Sequence, residues 1–179
     1  MKILNVRRID EKDSNSNTFV SILKDSYVNG QALVYLIDTE VSKESRVSIS
    51  LGKNNHIAEL LTDNDFLDLI PDIHHNNDIL ADNIHFKQTD PYGMFGAMCS
   101  IMHGGGAYGS NWSRYTSDYI INEVRLFLNS TFSNWIDSHC YISYSPWSTW
   151  FKNVAWDYTL IFITKDYSKM LMIIITDTD

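Results

Sequence analysis

The chain has 179 residues, a length suited to one substantial hydrophobic core rather than two. Hydrophobic residues make up 44% and aromatic residues 13% of the sequence, which excludes a chain that stays disordered throughout. The formal net charge of -8 disfavours direct binding to nucleic acid, because its phosphates would be repelled. We therefore expect one globular domain over residues 1–179.

The sequence indicates neither a signal peptide nor a membrane span. The N-terminus lacks a charged leader followed by an apolar segment, and no run of about 18 apolar residues occurs. We expect a cytoplasmic protein that does not enter the membrane. Cys99 and Cys140 share no short motif, so in a reducing compartment they are expected to be small buried hydrophobic residues.

Hydrophobic periodicity predicts a mixture of strands and helices in the N-terminal half. Apolar residues recur at helical spacing before the Asn-Gly pair at positions 29 and 30, which is typical of a helix end. Val47, Ile49 and Leu51 alternate with polar residues and predict one face of a strand. Pro71 is expected to end a short helix. The predicted elements are strands over 1–9, 31–37, 46–51 and 84–86, and helices over 18–28, 56–61 and 65–70.

Two longer helices are predicted in the second half. An apolar stripe at positions i, i+3, i+4 and i+7 predicts a helix over residues 94–102. Gly104 is expected to cap its C-terminal end, because glycine reaches positive φ at little cost. Thr116 or Ser117 is expected to cap the next helix, which continues to about Phe132.

The C-terminal part predicts the centre of a sheet. Residues 156–164 and 169–176 are apolar, β-branched runs on either side of a short polar turn, a pattern typical of a hairpin. Runs this hydrophobic predict central strands covered by helices. With a further strand predicted over 141–144, the expected fold class is α+β, a mainly antiparallel sheet with a C-terminal hairpin packed against several helices.

The stretch MHGGGAYG, from Met102 to Gly109, invites a catalytic interpretation, because His-Gly-Gly-Gly forms part of the oxyanion hole in lipase-like α/β-hydrolases. Such enzymes need a nucleophile within Gly-x-Ser-x-Gly, which this sequence lacks. After the glycines the only histidine is His139. The stretch is better interpreted as a capped helix followed by a loop.

A second catalytic interpretation concerns a polar segment with the side chains that bind metals. Its candidate ligands are Asp72, His74, His75, Asp78, Asp82 and His85. Their spacing fits no familiar zinc motif, and no cysteine is near. A small metal-dependent hydrolase using residues 72–85 stays open as the alternative function, although we predict neither a metal site nor a cofactor.

Nucleophilic catalysis by cysteine has little support in the sequence. Cys140 follows His139, and Cys99 precedes His103 by four residues, but neither pair has an evident orienting acid. No P-loop and no Gly-x-Gly-x-x-Gly motif occurs. We therefore predict no catalytic residues and expect that the protein is not an enzyme.

Negative charge is concentrated in the middle of the chain. Residues 54–112 contain eight acidic residues and one basic residue, Lys87, whereas the remainder is almost neutral. Such a segment attracts basic partners, and exposed aromatic residues are frequent anchors in protein interfaces. The predicted partner-binding residues are Asp63, Asp65, Asp68, Asp72, Asp78, Asp82, Tyr108 and Trp112.

The C-terminal region supplies a resemblance to a known class of proteins. The pattern WFKNVAWD from Trp150 to Asp157, followed by two strands and a terminal TDTD from Thr176 to Asp179, resembles small immunity proteins encoded beside polymorphic bacterial toxins. These include the immunity proteins of contact-dependent growth inhibition systems. The resemblance covers about the last 30 residues.

The resemblance implies that the protein binds a cognate toxin domain, often a nuclease with a basic active-site cleft, and blocks it inside the producing cell. It transfers no catalytic residue, because the class shares none. We therefore predict an immunity protein whose acidic surface contacts a basic toxin. The sequence leaves the oligomeric state and the identity of the toxin open.

Overall fold

The computed structural model describes residues 1–10, 12, 17–42, 56–107, 114–132 and 134–178. In this part of the chain one antiparallel sheet contains six strands. They are β1 (Lys2–Arg8), β2 (Gln31–Glu40), β3 (Lys87–Thr89), β4 (Ser138–Ser143), β5 (Tyr158–Thr164) and β6 (Lys169–Thr176). Their order across the sheet is β1-β2-β6-β5-β4-β3. The predicted strand over 46–51 lies outside the described residues.

Six α-helices accompany the sheet in the described part of the chain. They are α1 (Asn17–Ser26), α2 (His56–Leu61), α3 (Asn64–Leu67), α4 (Pro71–His74), α5 (Pro91–Gly104) and α6 (Ser117–Thr131). The α+β class, the C-terminal hairpin and the helix capped by Thr116 are confirmed: the Thr116 side chain accepts a hydrogen bond from the amide of Tyr119.

Alternation along β6 sends buried side chains to both faces of the sheet. Leu171, Ile173 and Ile175 lie in the core beneath α1, α5 and α6, which we call the long-helix layer. Met170, Met172 and Ile174 lie in a second core beneath residues 56–86, which contain α2, α3 and α4 and which we call the short-helix layer. Helices on both faces explain why β5 and β6 are almost continuously apolar.

Several predicted boundaries are wrong. Residues 84–86 are not a strand, and β3 begins at Lys87, where its polar residues pair with β4. The helix predicted to reach Ile70 ends at Leu67, and Pro71 begins α4 instead, because proline suits the first helical position. The cap of α5 is Gly105, with φ of 69°, rather than Gly104.

The two cysteines differ in their surroundings. Cys140 is buried beneath the long-helix layer, as predicted. Cys99 is only partly buried, because it packs at the margin of that core from α5. Both are free thiols.

Candidate functional site

The short-helix layer carries seven acidic residues and no lysine or arginine. All seven are exposed, whereas the apolar residues between them pack into the core that the layer covers. The acidic residues are Glu59, Asp63, Asp65, Asp68, Asp72, Asp78 and Asp82. The fold therefore places the six aspartates predicted to contact a partner on the outer surface of the short-helix layer. By contrast, the helices of the long-helix layer contain three acidic and two basic residues.

Among the residues that the structure describes, Asp72 is the one predicted acidic contact that pairs with an arginine or lysine. Arg8 donates a hydrogen bond of 2.8 Å from Nη1 to Asp72 Oδ1, and the Tyr35 hydroxyl donates one of 2.8 Å to Oδ2. Burial, followed by the hydrogen bond to Asp72, raises the pKa of Tyr35, so the phenol remains a donor. Both carboxylate oxygens are thus engaged in holding α4 against β1 and β2.

Two further acidic residues have local partners. Asp63 caps α3, because its side chain accepts a 2.9 Å hydrogen bond from the amide of Asp65. The Asp68 carboxylate lies 3.9 Å from Nε2 of His74, and both side chains are at least partly exposed. These contacts organise the layer but leave its outer surface negative.

Asp65, Asp78 and Asp82 form no side-chain hydrogen bond or ion pair with any described residue, and all three are exposed. The backbone of Asp78 is fixed, because its amide donates to Thr149 Oγ1 at 2.8 Å and its carbonyl accepts from the Thr149 amide at 2.9 Å. Uncompensated carboxylates on fixed segments are suited to meeting a cationic surface, since little order must be gained on binding.

Leu69 adds an apolar side chain to the same layer. It follows Asp68 directly and is 46% exposed, while its neighbour Ile70 is fully buried. The sequence did not indicate that Leu69 is exposed, because a leucine next to buried residues predicts a core position. Of the predicted aromatic anchors, Tyr108 and Trp112 both lie outside the described residues.

The glycine-rich stretch does not present an oxyanion hole in its described part. The amide of Gly105 donates to Ile101 O at 3.0 Å, and that of Gly106 donates to Ser26 O at 2.9 Å. The next amide, of Ala107, donates to Asp177 Oδ2 at 2.8 Å. Because these three amides already have acceptors within the protein, they are not available to stabilise a developing oxyanion.

Thiol and metal chemistry are not favoured by the described geometry. Burial raises the pKa of Cys140 to about 12 and that of Cys99 to about 11, which opposes the thiolate form. His139 Nε2 lies 3.1 Å from the Tyr167 hydroxyl rather than bonding to Cys140. Among the described residues, which include all of segment 72–85, no three His, Cys, Asp or Glu side chains form a group that could hold a metal ion.

The residues behind the immunity-protein resemblance have structural contacts. Asp157 is buried; its Oδ2 accepts from the amide of Val154 at 2.9 Å and its Oδ1 accepts from the Thr176 hydroxyl at 2.6 Å. Thr176 Oγ1 in turn accepts from the amide of Lys152 at 3.1 Å. The motif therefore ties the loop before β5 to the end of β6.

No family model, curated protein or solved structure matches this chain. None of the described helices combines the length and the apolar character that crossing a membrane requires.

Proposed function

We propose that this protein is a cytoplasmic immunity protein, which binds a cognate toxin domain with a basic surface and neutralises it. The observation that carries the proposal is the charge asymmetry between the two layers. The short-helix layer has seven exposed acidic residues and no lysine or arginine, and the long-helix layer is nearly neutral.

This asymmetry supports recognition of a basic protein for two physical reasons. A surface of one sign accelerates encounter with a partner of the opposite sign, and carboxylates can occupy the positions of displaced phosphates in a nuclease cleft. Leu69 would then provide apolar contact area within the acidic surface. No step of the proposal requires catalysis by this chain.

The test begins with the polypeptide encoded next to this protein, expressed as its C-terminal domain. We expect that domain to be basic and toxic, and its toxicity to be relieved by co-expression. The triple variant D65N/D78N/D82N should associate about tenfold more slowly in low salt, and the difference should shrink in high salt. The rates are measured by stopped-flow fluorescence.

The matched control is D25N/D118N/E123Q, which removes three charges from the long-helix layer. It should bind at nearly the native rate. Equal slowing by both triple variants would assign the effect to net charge and contradict a binding face on the short-helix layer. A neighbouring domain that does not bind would contradict the immunity function itself.

The apolar part of the proposed interface is tested separately. Leu69→Ala should raise the dissociation rate of the complex about fivefold or more, since mutations of this kind act mainly on dissociation. Leu126→Ala, on the outer side of α6, is the control because Leu126 is 52% exposed. Equal dissociation rates for the two variants would show that Leu69 does not contribute to the interface.

A further inference from the structure

An open cavity of about 370 Å³ lies at the C-terminal end of α5, on the side of the sheet that carries the long-helix layer. One wall is aromatic and consists of Tyr144, Trp156 and Tyr158. The opposite wall is the last turn of the helix and its cap, with Ser100, Gly104 and Gly105. The volume lies in the range of small-molecule sites.

The aromatic wall has the geometry of a corner. The rings of Tyr144 and Tyr158 are 5.8 Å apart and inclined at 80° to each other. Tyr144 is 61% exposed, so its ring is held at the rim rather than buried in a core. In this edge-to-face pair the edge of one ring lies against the face of the other, and the faces that remain open are the negative surfaces that a cation contacts in an aromatic cage.

The electrostatics of the opposite wall have the same sign. Ala97, Ser100, Ile101 and Gly104 line the cavity along one side of the last two turns of α5, whose C-terminal end carries partial negative charge. None of the described lining residues is a lysine or an arginine. His103 belongs to the same helical turn but lines a different cavity, with Cys99 and Ser117.

One buried carboxylate, that of Asp177, lies next to the loop after α5, whereas that of Asp157 meets Thr176 on the short-helix side of the sheet. Asp157 lies between Trp156 and Tyr158 in the chain, and Asp177 binds the amide of Ala107, two residues beyond Gly105. The hydrogen bonds that their carboxylates accept come from backbone amides and a threonine hydroxyl, so no cation neutralises them within the described residues.

Burial is the main cause that raises the pKa of Tyr158, and interactions with Tyr144 and Asp157 raise it further. The phenol therefore stays neutral at physiological pH. Negative charge near an aromatic wall favours a ligand of positive charge.

We propose that this cavity is a binding site for an organic cation, with the ammonium or guanidinium group enclosed by Tyr144, Trp156 and Tyr158 beside the end of α5. The cation is carried either by a free small molecule or by a basic side chain of a peptide. The site is independent of the acidic short-helix layer, because it lies on the opposite side of the sheet.

Choline is the first probe, and dimethylbutanol, its uncharged carbon isostere, is the matched control. Calorimetry and chemical-shift titration of the tryptophan indole resonances should show saturable choline binding, and dimethylbutanol should bind at least about tenfold more weakly. Equal binding of both compounds would overturn the assignment to a cation. Failure of choline and of arginine amide to bind would overturn the site.

A peptide with one trimethyl-lysine, compared with its unmodified form, separates the two sources of the cation. Tighter binding of the modified peptide than of choline assigns the site to a side chain. Weaker binding assigns it to a free molecule. In both cases competition by choline should remove the peptide's signal.

Variants locate the site. Tyr144→Ala should weaken choline binding about fivefold or more, while Tyr144→Phe keeps the ring face and should bind within about twofold of the native chain. Tyr92→Ala, at the other end of α5, is the control, because Tyr92 is 66% exposed and does not line the cavity. Ser100→Lys should abolish binding by supplying a competing cation, whereas Ser100→Gln should not. Loss of binding in Tyr92→Ala equal to that in Tyr144→Ala would contradict the location.

Discussion

The hydroxyl of Thr176 donates a 2.6 Å hydrogen bond to the carboxylate of Asp157, and both side chains are buried. This contact joins the last residue of β6 to the residue that precedes β5. The second oxygen of the Asp157 carboxylate accepts a hydrogen bond from the amide of Val154. The loop before β5 is therefore bonded both within itself and to the end of β6. A buried carboxylate with both oxygens engaged is costly to remove, because its donors lose their acceptor.

Replacing this carboxylate should destabilise the fold. Asp157→Ala leaves the Val154 amide and the Thr176 hydroxyl without their acceptor, so the free energy of unfolding should fall by about 2–4 kcal/mol. Urea unfolding followed by tryptophan fluorescence measures the change. Asp25→Ala, at an exposed position in the last turn of α1, is the control and should not destabilise the protein. A result for Asp157→Ala as small as the control would show that the contact contributes nothing.

Two glycines of the same region should respond to alanine in opposite ways. A Cβ at Gly106 would overlap the carboxylate of Asp177 and lie 3.0 Å from the ring of Tyr27. Gly106→Ala should therefore destabilise the protein by about 1–3 kcal/mol. Gly96 lies inside α5 with open space at its Cβ, so Gly96→Ala should stabilise it by about 0.5–1 kcal/mol through helix propensity. Thermal unfolding measures both changes. Stabilisation by Gly106→Ala would contradict the packing at Gly106, and destabilisation by Gly96→Ala would contradict the open space at Gly96.

Both thiols should resist alkylation in the folded protein. Burial raises the pKa of Cys99 to about 11 and of Cys140 to about 12, and only the thiolate reacts. At pH 8 we expect both to react at least ~100-fold more slowly than in guanidinium, with Cys99 the faster because it is only partly buried. Timed labelling with iodoacetamide followed by mass mapping measures the rates. Rapid reaction of Cys140 in the native protein would contradict its placement in the core.

His139 should make stability depend on pH in a definite direction. Burial, and then Lys165, lower its pKa from 6.5, although Asp137 acts in the opposite sense. The unfolded chain therefore takes up the proton first as the pH falls below 6.5, and stability declines until the pH passes the lowered pKa of the folded state. Between pH about 7.5 and about 5, the free energy of unfolding should fall less for the variant His139→Gln than for the native chain. Identical losses in urea titrations would contradict the lowered pKa.

The sequence predicted the centre of the fold better than its margins. Continuous apolar runs allow few alternatives to central strands, and β5 and β6 confirm that interpretation. The three residues of β3 are polar and exposed or half-buried, so its position depends on pairing with β4, which local pattern does not contain. Elements whose partners are distant are set by tertiary contacts rather than by periodicity.

The candidate site shows the same division. The concentration of acidic residues in one segment followed from the sequence alone. That Arg8 would pair with Asp72 and that Tyr35 would donate a hydrogen bond to it did not, because those contacts join residues 64 and 37 positions apart. Nor did the sequence indicate that Asp177 would bind the amide of Ala107 in the glycine-rich stretch.

The place of β6 in the sheet has a consequence for biosynthesis. It is the sixth of the described strands in chain order, yet it lies third across the sheet, between β2 and β5. While the ribosome is still translating the residues before Lys169, β2 has no partner on that edge, and its backbone donors and acceptors remain a template for mispairing. Maturation of this protein is therefore delayed until its final strand emerges, and the nascent polypeptide is the form most exposed to chaperones and proteases.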